Sequence, residues 1–254
     1  MPSENGENGM NEFEIYDEDT EREEQAAEAL DTGLDCYEAG LASHDIEDFE
    51  RAEHYLEESR QLGNARASVF LGYIHYYGFT GERDFGHALR LFGDAAEAGD
   101  GEACYKIGDM YARGMGVDKD EKQAFELYQD SYELGEGEDA YIEGSAAFRL
   151  ARCYENGIGC DADLNRALRF YRFAAEGLTF AIDDGLAYFT EHRDESIEAI
   201  DRLVAQGMTS GEVEEQAFRD LWHRPCFIRY DARQLGAFEK PDTARPAASE
   251  LPDA

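Results

Sequence analysis

The sequence predicts an all-α fold of stacked helix–turn–helix pairs, and three observations carry it. Alanines, glycines and an aspartate recur at a period of 36 residues. Apolar residues between these marks fall at helical spacing. In each copy a glycine closes one helix and an aspartate opens the next, the residue types that suit those two ends.

The repeat is seen by setting Ala67–Gly99 above Ala103–Gly135. Ala67/Ala103, Gly72/Gly108, Gly78/Gly114, Asp84/Asp120, Ala88/Ala124 and Gly99/Gly135 each lie 36 apart. A third copy, Ala146–Gly177, is displaced by a further seven residues, inserted within GEGEDAYIEGSA; Gly157, Asp163 and Ala167 answer Gly114, Asp120 and Ala124. Helix A of each copy carries an apolar face, such as Ile107, Met110 and Tyr111, or Leu150, Cys153 and Tyr154. It stops at Gly78, Gly114 or Gly157. Helix B starts after Asp84, Asp120 or Asp163 and carries Ala88-Leu91-Phe92-Ala95, Ala124-Leu127-Tyr128-Ser131 or Ala167-Phe170-Tyr171-Ala174. Small residues at Gly72, Gly108 and Ala151, and at Ala88, Ala124 and Ala167, let the two helices approach. One pair cannot bury such a face alone, so neighbours must stack.

The pattern A-x4-G-x5-G-x5-D-x3-A-x6-[AS]-x3-G resembles the Sel1-like repeat, a longer relative of the tetratricopeptide repeat. The second copy, with Gly114-Met115-Gly116-Val117 and Lys119-Asp120, is the best match. The resemblance implies a right-handed superhelical α-solenoid and a role in protein–protein interaction rather than catalysis. The chain then divides into a disordered acidic N-terminus (1–20), a degenerate helix pair (21–63), three repeats (64–177), a degenerate repeat with a capping helix (178–235) and a Pro-rich flexible tail (236–254). Upstream, Ala52–Gly63 fits helix B of an earlier copy whose helix A has lost the glycine pattern. Downstream, Phe180–Thr190 and Ser196–Gly207 read as a shortened pair, and Ser210–His223 as a closing helix.

Composition narrows the function. The 254 residues carry 58 acids against 23 bases, a net charge of −35, which repels phosphate backbones and anionic membrane surfaces. Residues 1–60 alone hold 21 acids and 3 bases. The longest uncharged run, Ala67–Gly81, has 15 residues, short of a membrane span. The first residues lack the basic and apolar regions of a signal peptide. The expectation is a soluble, cytoplasmic protein with no direct nucleic-acid or membrane partner.

Candidate chemistry is sparse. Gly114-x-Gly116 and Gly157-x-Gly159 look like dinucleotide-loop fragments, yet they follow helices and recur with the repeat. Asp161-Ala-Asp163-Leu-Asn165 opens like a calcium loop but has Arg166 and Arg172 where glycine and glutamate belong. The five cysteines (Cys36, Cys104, Cys153, Cys160, Cys226) form no CxxC pair, and the six histidines show no ligand spacing. No metal, no cofactor and no catalytic residue is expected. Some cysteine-rich relatives of this repeat bind or hydrolyse β-lactams and pair cysteines within each repeat; here Ser131 stands opposite Cys104, which counts against that activity. An acidic decoy for a nucleic-acid-binding protein is the other alternative.

What is left is a surface. The resemblance places helix A on the concave side, where the non-core positions are Phe70, Tyr73 and Tyr77 in the first copy, Lys106, Asp109 and Arg113 in the second, and Arg149, Arg152 and Asn156 in the third. Aromatic residues and arginines are the usual interface anchors. This stripe is the expected binding groove for a protein or peptide of unknown identity. The competing reading packs Phe70 and Tyr73 against the preceding pair and spends the arginines on neighbouring acids. A helix-B row, Arg166, Arg169 and Arg172, reads as a solvated face.

Overall fold

The computed structural model describes residues 12–135, 140–183, 186 and 189–209, and all regular structure among them is helical. The chain divides between Arg83 and Asp84 into two compact units. The first holds α1 (Glu12–Ser43), α2 (Ile46–Gln61) and α3 (Arg66–Tyr77); the second holds α4 (Phe85–Glu97), α5 (Gly101–Arg113), α6 (Glu121–Gly135), α7 (Ala140–Asn156), α8 (Leu164–Asp183) and α9 (Thr190–Ala205). Ser210–His223 and the tail beyond lie outside the described residues.

In the first unit, α1 begins at Glu12, so helix reaches into the acidic stretch that composition left unordered. Glutamate is a good helix former, and acids suit a helix's first turns. The close approach of α1 to α2 rests on Gly33 and Gly40. A Cβ on Gly33 would lie 2.8 Å from Leu56 Cγ, and one on Gly40 2.9 Å from the Phe49 ring. Buried Ser59 donates its hydroxyl to the Ala26 carbonyl at 2.7 Å, tying the two helices. The glycine that ends helix A elsewhere is replaced by His44, whose φ of 59° is left-handed and whose N–H reaches the Gly40 carbonyl at 2.8 Å.

The second unit follows the repeat closely. Gly114 caps α5 at φ 70°, donating to the Met110 carbonyl. Asp120 then accepts from the Lys122 and Gln123 N–H groups at 3.0 Å each, opening α6, and Asp163 does the same for Asn165 and Arg166 at α8. Gly108 lets α5 meet α6: a Cβ there would sit 2.7 Å from the Tyr128 ring. The core runs from Ala124 and Tyr128 through Phe148 and Leu150 to Phe170 and Leu203.

Two further features differ from the sequence expectation. First, α8 does not end at Gly177 but runs on to Asp183, and α9 starts at Thr190, so the expected helices at 180–190 and from 196 are replaced by one long helix and one earlier start. Gly177 is buried against α7, where a Cβ on Gly144 would come within 3.0 Å of its carbonyl carbon; it serves close packing, not termination. Second, the GEGEDAYIEGSA insertion is more than a spacer. It supplies the start of α7, and Ile142 there packs on Gly101 and Gly135.

Candidate functional site

The three expected stripes meet different fates. In the first unit, Phe70 lies edge-on to Tyr37 at 5.6 Å between ring centres, Tyr73 stacks on Tyr77 at 6.1 Å, and Tyr77 meets Phe79, itself stacked on Phe49 at 4.3 Å. Phe70 and Tyr77 therefore belong to an aromatic cluster shared with the preceding helix pair. Tyr73 is buried beside them, and Arg66 lies over the Phe70 ring. These contacts follow the packing alternative for the first stripe.

In the second unit the stripe condenses into a charged network between α5 and α7. Arg149 donates two hydrogen bonds to Asp109, Nε to Oδ1 at 2.8 Å and an Nη to Oδ2 at 2.7 Å, while the Tyr128 hydroxyl donates to the same Oδ1 at 2.7 Å. Both carboxylate oxygens are thus engaged, as a buried charge requires. Burial alone would push the Asp109 carboxyl up, but Arg149 holds it well below the usual carboxylate range. For Arg149, burial opposes the charge and Asp109 more than restores it. The Tyr128 phenol is pushed up by burial and by the Asp109 charge beside it.

Lys106, only 7% exposed, lies one turn before Asp109 with its ammonium over the Tyr105 ring at 5.0 Å; Arg149 sits over the same ring at 5.2 Å. Burial lowers its pKa to about 8. Asp109 and Glu102 support the charge, whereas Arg149 and Arg113 repel it. Glu102 accepts a short hydrogen bond from the Tyr141 hydroxyl at the start of α7.

The remaining positions are open. Arg113 and Arg152 are exposed, Arg152 lying over the Phe148 ring at 5.7 Å. Asn156 is exposed and donates to the Arg152 carbonyl at 2.9 Å. Phe148 also carries His192 of α9, stacked at 4.5 Å, and Phe189 stacks on Tyr141 at 5.9 Å. The face thus continues from α5 across α7 to α9. Tyr105, Tyr141, Phe148 and His192 are members that the 36-residue register did not single out, and Tyr128, read from the sequence as part of the helix-B face of its repeat, joins them.

The other candidates resolve as structural parts. Gly116 has φ 72°, and a Cβ on it would come within 2.9 Å of Phe85, the first residue of α4; a Cβ on Gly159, at φ 70°, would overlap the Glu121 carbonyl at the start of α6. The second glycine of each G-x-G lets the loop sit on the start of an earlier helix B. Cys36, Cys153 and Cys160 are free thiols, and burial pushes the Cys153 thiol up to about 12, with Cys160 adding to it. Arg166 pairs with Asp163 and Arg169 lies over Phe173. Among the described residues, no three or more His, Cys, Asp or Glu side chains group as metal ligands, and no helix is long and apolar enough to cross a membrane.

Helix pairs joined by capped turns and stacked within each unit define an α-solenoid repeat protein. The Sel1 repeat matches residues 29–64, 65–100, 101–136 and 144–177, more than half of the chain, and the chain belongs to the Sel1-repeat family. The match at 29–64 counts the degenerate first pair as a repeat. Two solved structures share the fold: a Sel1 repeat protein from Oxalobacter formigenes (23% identity, 69% of this chain and 63% of that one, TM-score 0.50), and c5321, a protective antigen of uropathogenic Escherichia coli with an SLR fold (22% identity, 78% and 38%, TM-score 0.54). At these identities they speak to the fold alone, and this chain spans less than two thirds of either. No curated protein matches the chain.

Proposed function

We propose that this protein is a non-enzymatic scaffold that holds a peptide or protein partner on the helix-A face of α5, α7 and α9. Sel1 repeats generally serve protein–protein interaction, and the observation that supports this face is its make-up. Buried Tyr105 and Phe148 floor it and carry cations, half-buried Tyr141 and His192 stand at its edge, and exposed Arg113, Arg152 and Asn156 face outward. Arginine and tyrosine are among the residues enriched in binding hot spots, and a packed aromatic floor holds these arginines in place. The buried Asp109–Arg149 pair supplies a fixed frame and does no chemistry: every polar atom of the Asp109 carboxylate is already engaged.

Site-specific photo-crosslinking tests this reading. A benzophenone side chain at Asn156, on the helix-A face, is expected to capture a partner from the source cell's extract. The same group at Arg172, on the opposite helix of that pair, is expected not to. Capture only at Arg172, or at neither position, would sink the proposal. Reversing the charge of Arg149 is a poor test, since it sets a glutamate against buried Asp109 and unfolds the frame.

A further inference from the structure

Two contacts fix how α5 and α7 run. Glu102 meets Tyr141, and seven residues on along α5, Asp109 meets Arg149, eight residues on along α7. The helices are therefore parallel and nearly in register. One turn beyond the Asp109–Arg149 bridge lie Arg113 on α5 and Arg152 on α7, at about the same level and roughly 8–10 Å apart between helix axes.

Both are exposed, and among the described residues neither forms an ion pair. That is unusual in a chain of net charge −35, where Arg149, Arg166, Arg193 and Arg202 each hold a carboxylate. Asp109, one turn back along α5 from Arg113, is already used by Arg149 and Tyr128, and Glu155, one turn on from Arg152, by Tyr171 and Arg202. Phe148 supports the Arg152 guanidinium, which reduces the freedom lost when its fork closes on an anion.

We propose that Arg113 and Arg152 form a two-point carboxylate-binding site that recognises an acidic, extended segment of a partner protein on the helix-A face. The proposal rests on the scaffold reading above and names the chemistry of what is held. In an extended segment, carboxylates at alternate positions point to one side about 7 Å apart, a spacing that two guanidiniums on neighbouring helices can meet with bidentate bonds. The rest of the protein repels acidic peptides, so binding by one reports a local site rather than general attraction.

The experiment uses the full chain, a fluorescein-labelled peptide with glutamate at alternate positions (ESESESE) and its glutamine counterpart, read by fluorescence anisotropy at low salt. The Glu peptide is expected to bind at least tenfold more tightly than the Gln peptide, and to weaken as salt rises. Arg113→Gln/Arg152→Gln is expected to lower its affinity at least tenfold, and Arg172→Gln to leave it unchanged. Equal binding of the two peptides, no binding of either, or an unaffected double variant would overturn the proposal. Should the double variant melt lower than the wild type, Arg113→Lys/Arg152→Lys decides: it keeps both charges but loses the forks, so a three- to tenfold loss supports the site and unchanged affinity overturns it. A partner crosslinked at Asn156 with no acidic-peptide binding would remove this inference and leave the scaffold reading standing; failure of both experiments removes both.

Discussion

Lys106 and His44 are the residues at which the fold bears a local cost. Lys106 keeps its ammonium in a buried site, and its pKa is lowered to about 8 from an ordinary 10.5. The unfolded chain therefore binds more protons than the folded one between those values, and folding gains stability as pH rises through that window. Lys106→Met, which keeps the stem and removes the charge, should lose that gain. Relative to the variant, the wild type should become more stable between pH 7 and 10, by up to about 3 kcal/mol, in thermal melts at each pH. Asp109 works in the opposite sense. Its carboxyl is held low, so its contribution is present above about pH 4 and is lost as pH falls toward its depressed value. His44 has a left-handed backbone that costs a side-chain-bearing residue about 1 kcal/mol, and His44→Gly should raise the melting temperature. Gly114→Val places a β-branched residue at φ 70° and should destabilise by about 1–2 kcal/mol; an unchanged melt would mean the turn relaxes freely.

At the scale of elements, α5 and α6 meet where Gly108 faces Tyr128 and buried Ala124 fills the seam. Ala124→Leu has no room there and should cost roughly 1–3 kcal/mol by overpacking, measured by denaturant unfolding. This seam was legible in the sequence, because small residues at a fixed period mark close approach wherever they occur. The caps at Gly114, Asp120 and Asp163 were legible for the same reason: each answers to backbone groups within four residues. Gly177 was not. Whether a glycine ends a helix or admits a neighbour depended on Gly144, 33 positions away, and packing won. The candidate face was half legible. Helical spacing put Lys106, Asp109, Arg149 and Arg152 on it, but that Asp109 would claim Arg149, 40 residues on, is a tertiary fact. The aromatic first stripe was open to two readings because large rings serve a core as readily as a binding site, and Phe70 and Tyr77 lie against Tyr37 and Phe79.

For the whole molecule, charge is the governing quantity. A net −35 spread over 254 residues repels itself, with the acids densest in residues 1–60. Added salt should therefore stabilise the fold up to a few hundred millimolar, raising the melting temperature by about 5 °C or more, since the Debye length has already fallen to about 10 Å at 0.1 M. A flat response would mean that exposed acids are balanced locally. The buried Asp109–Arg149 pair should contribute little to any salt dependence, because solvent ions do not reach it.

The contrast between Gly99 and Gly177 bears on how such a chain can grow. At Gly99 one helix is closed and the next is opened by independent groups: Gly99 turns at φ 92°, the Asp100 N–H returns to the Ala95 carbonyl, and the Asp100 carboxylate accepts from Ala103. A duplicated 36-residue cassette spliced at that joint inherits complete ends on both sides. At Gly177 the backbone ladder runs straight through α8, so the same splice would cut a continuous helix. The array can be lengthened by a splice at the earlier joint, whereas a splice at the later one breaks a helix.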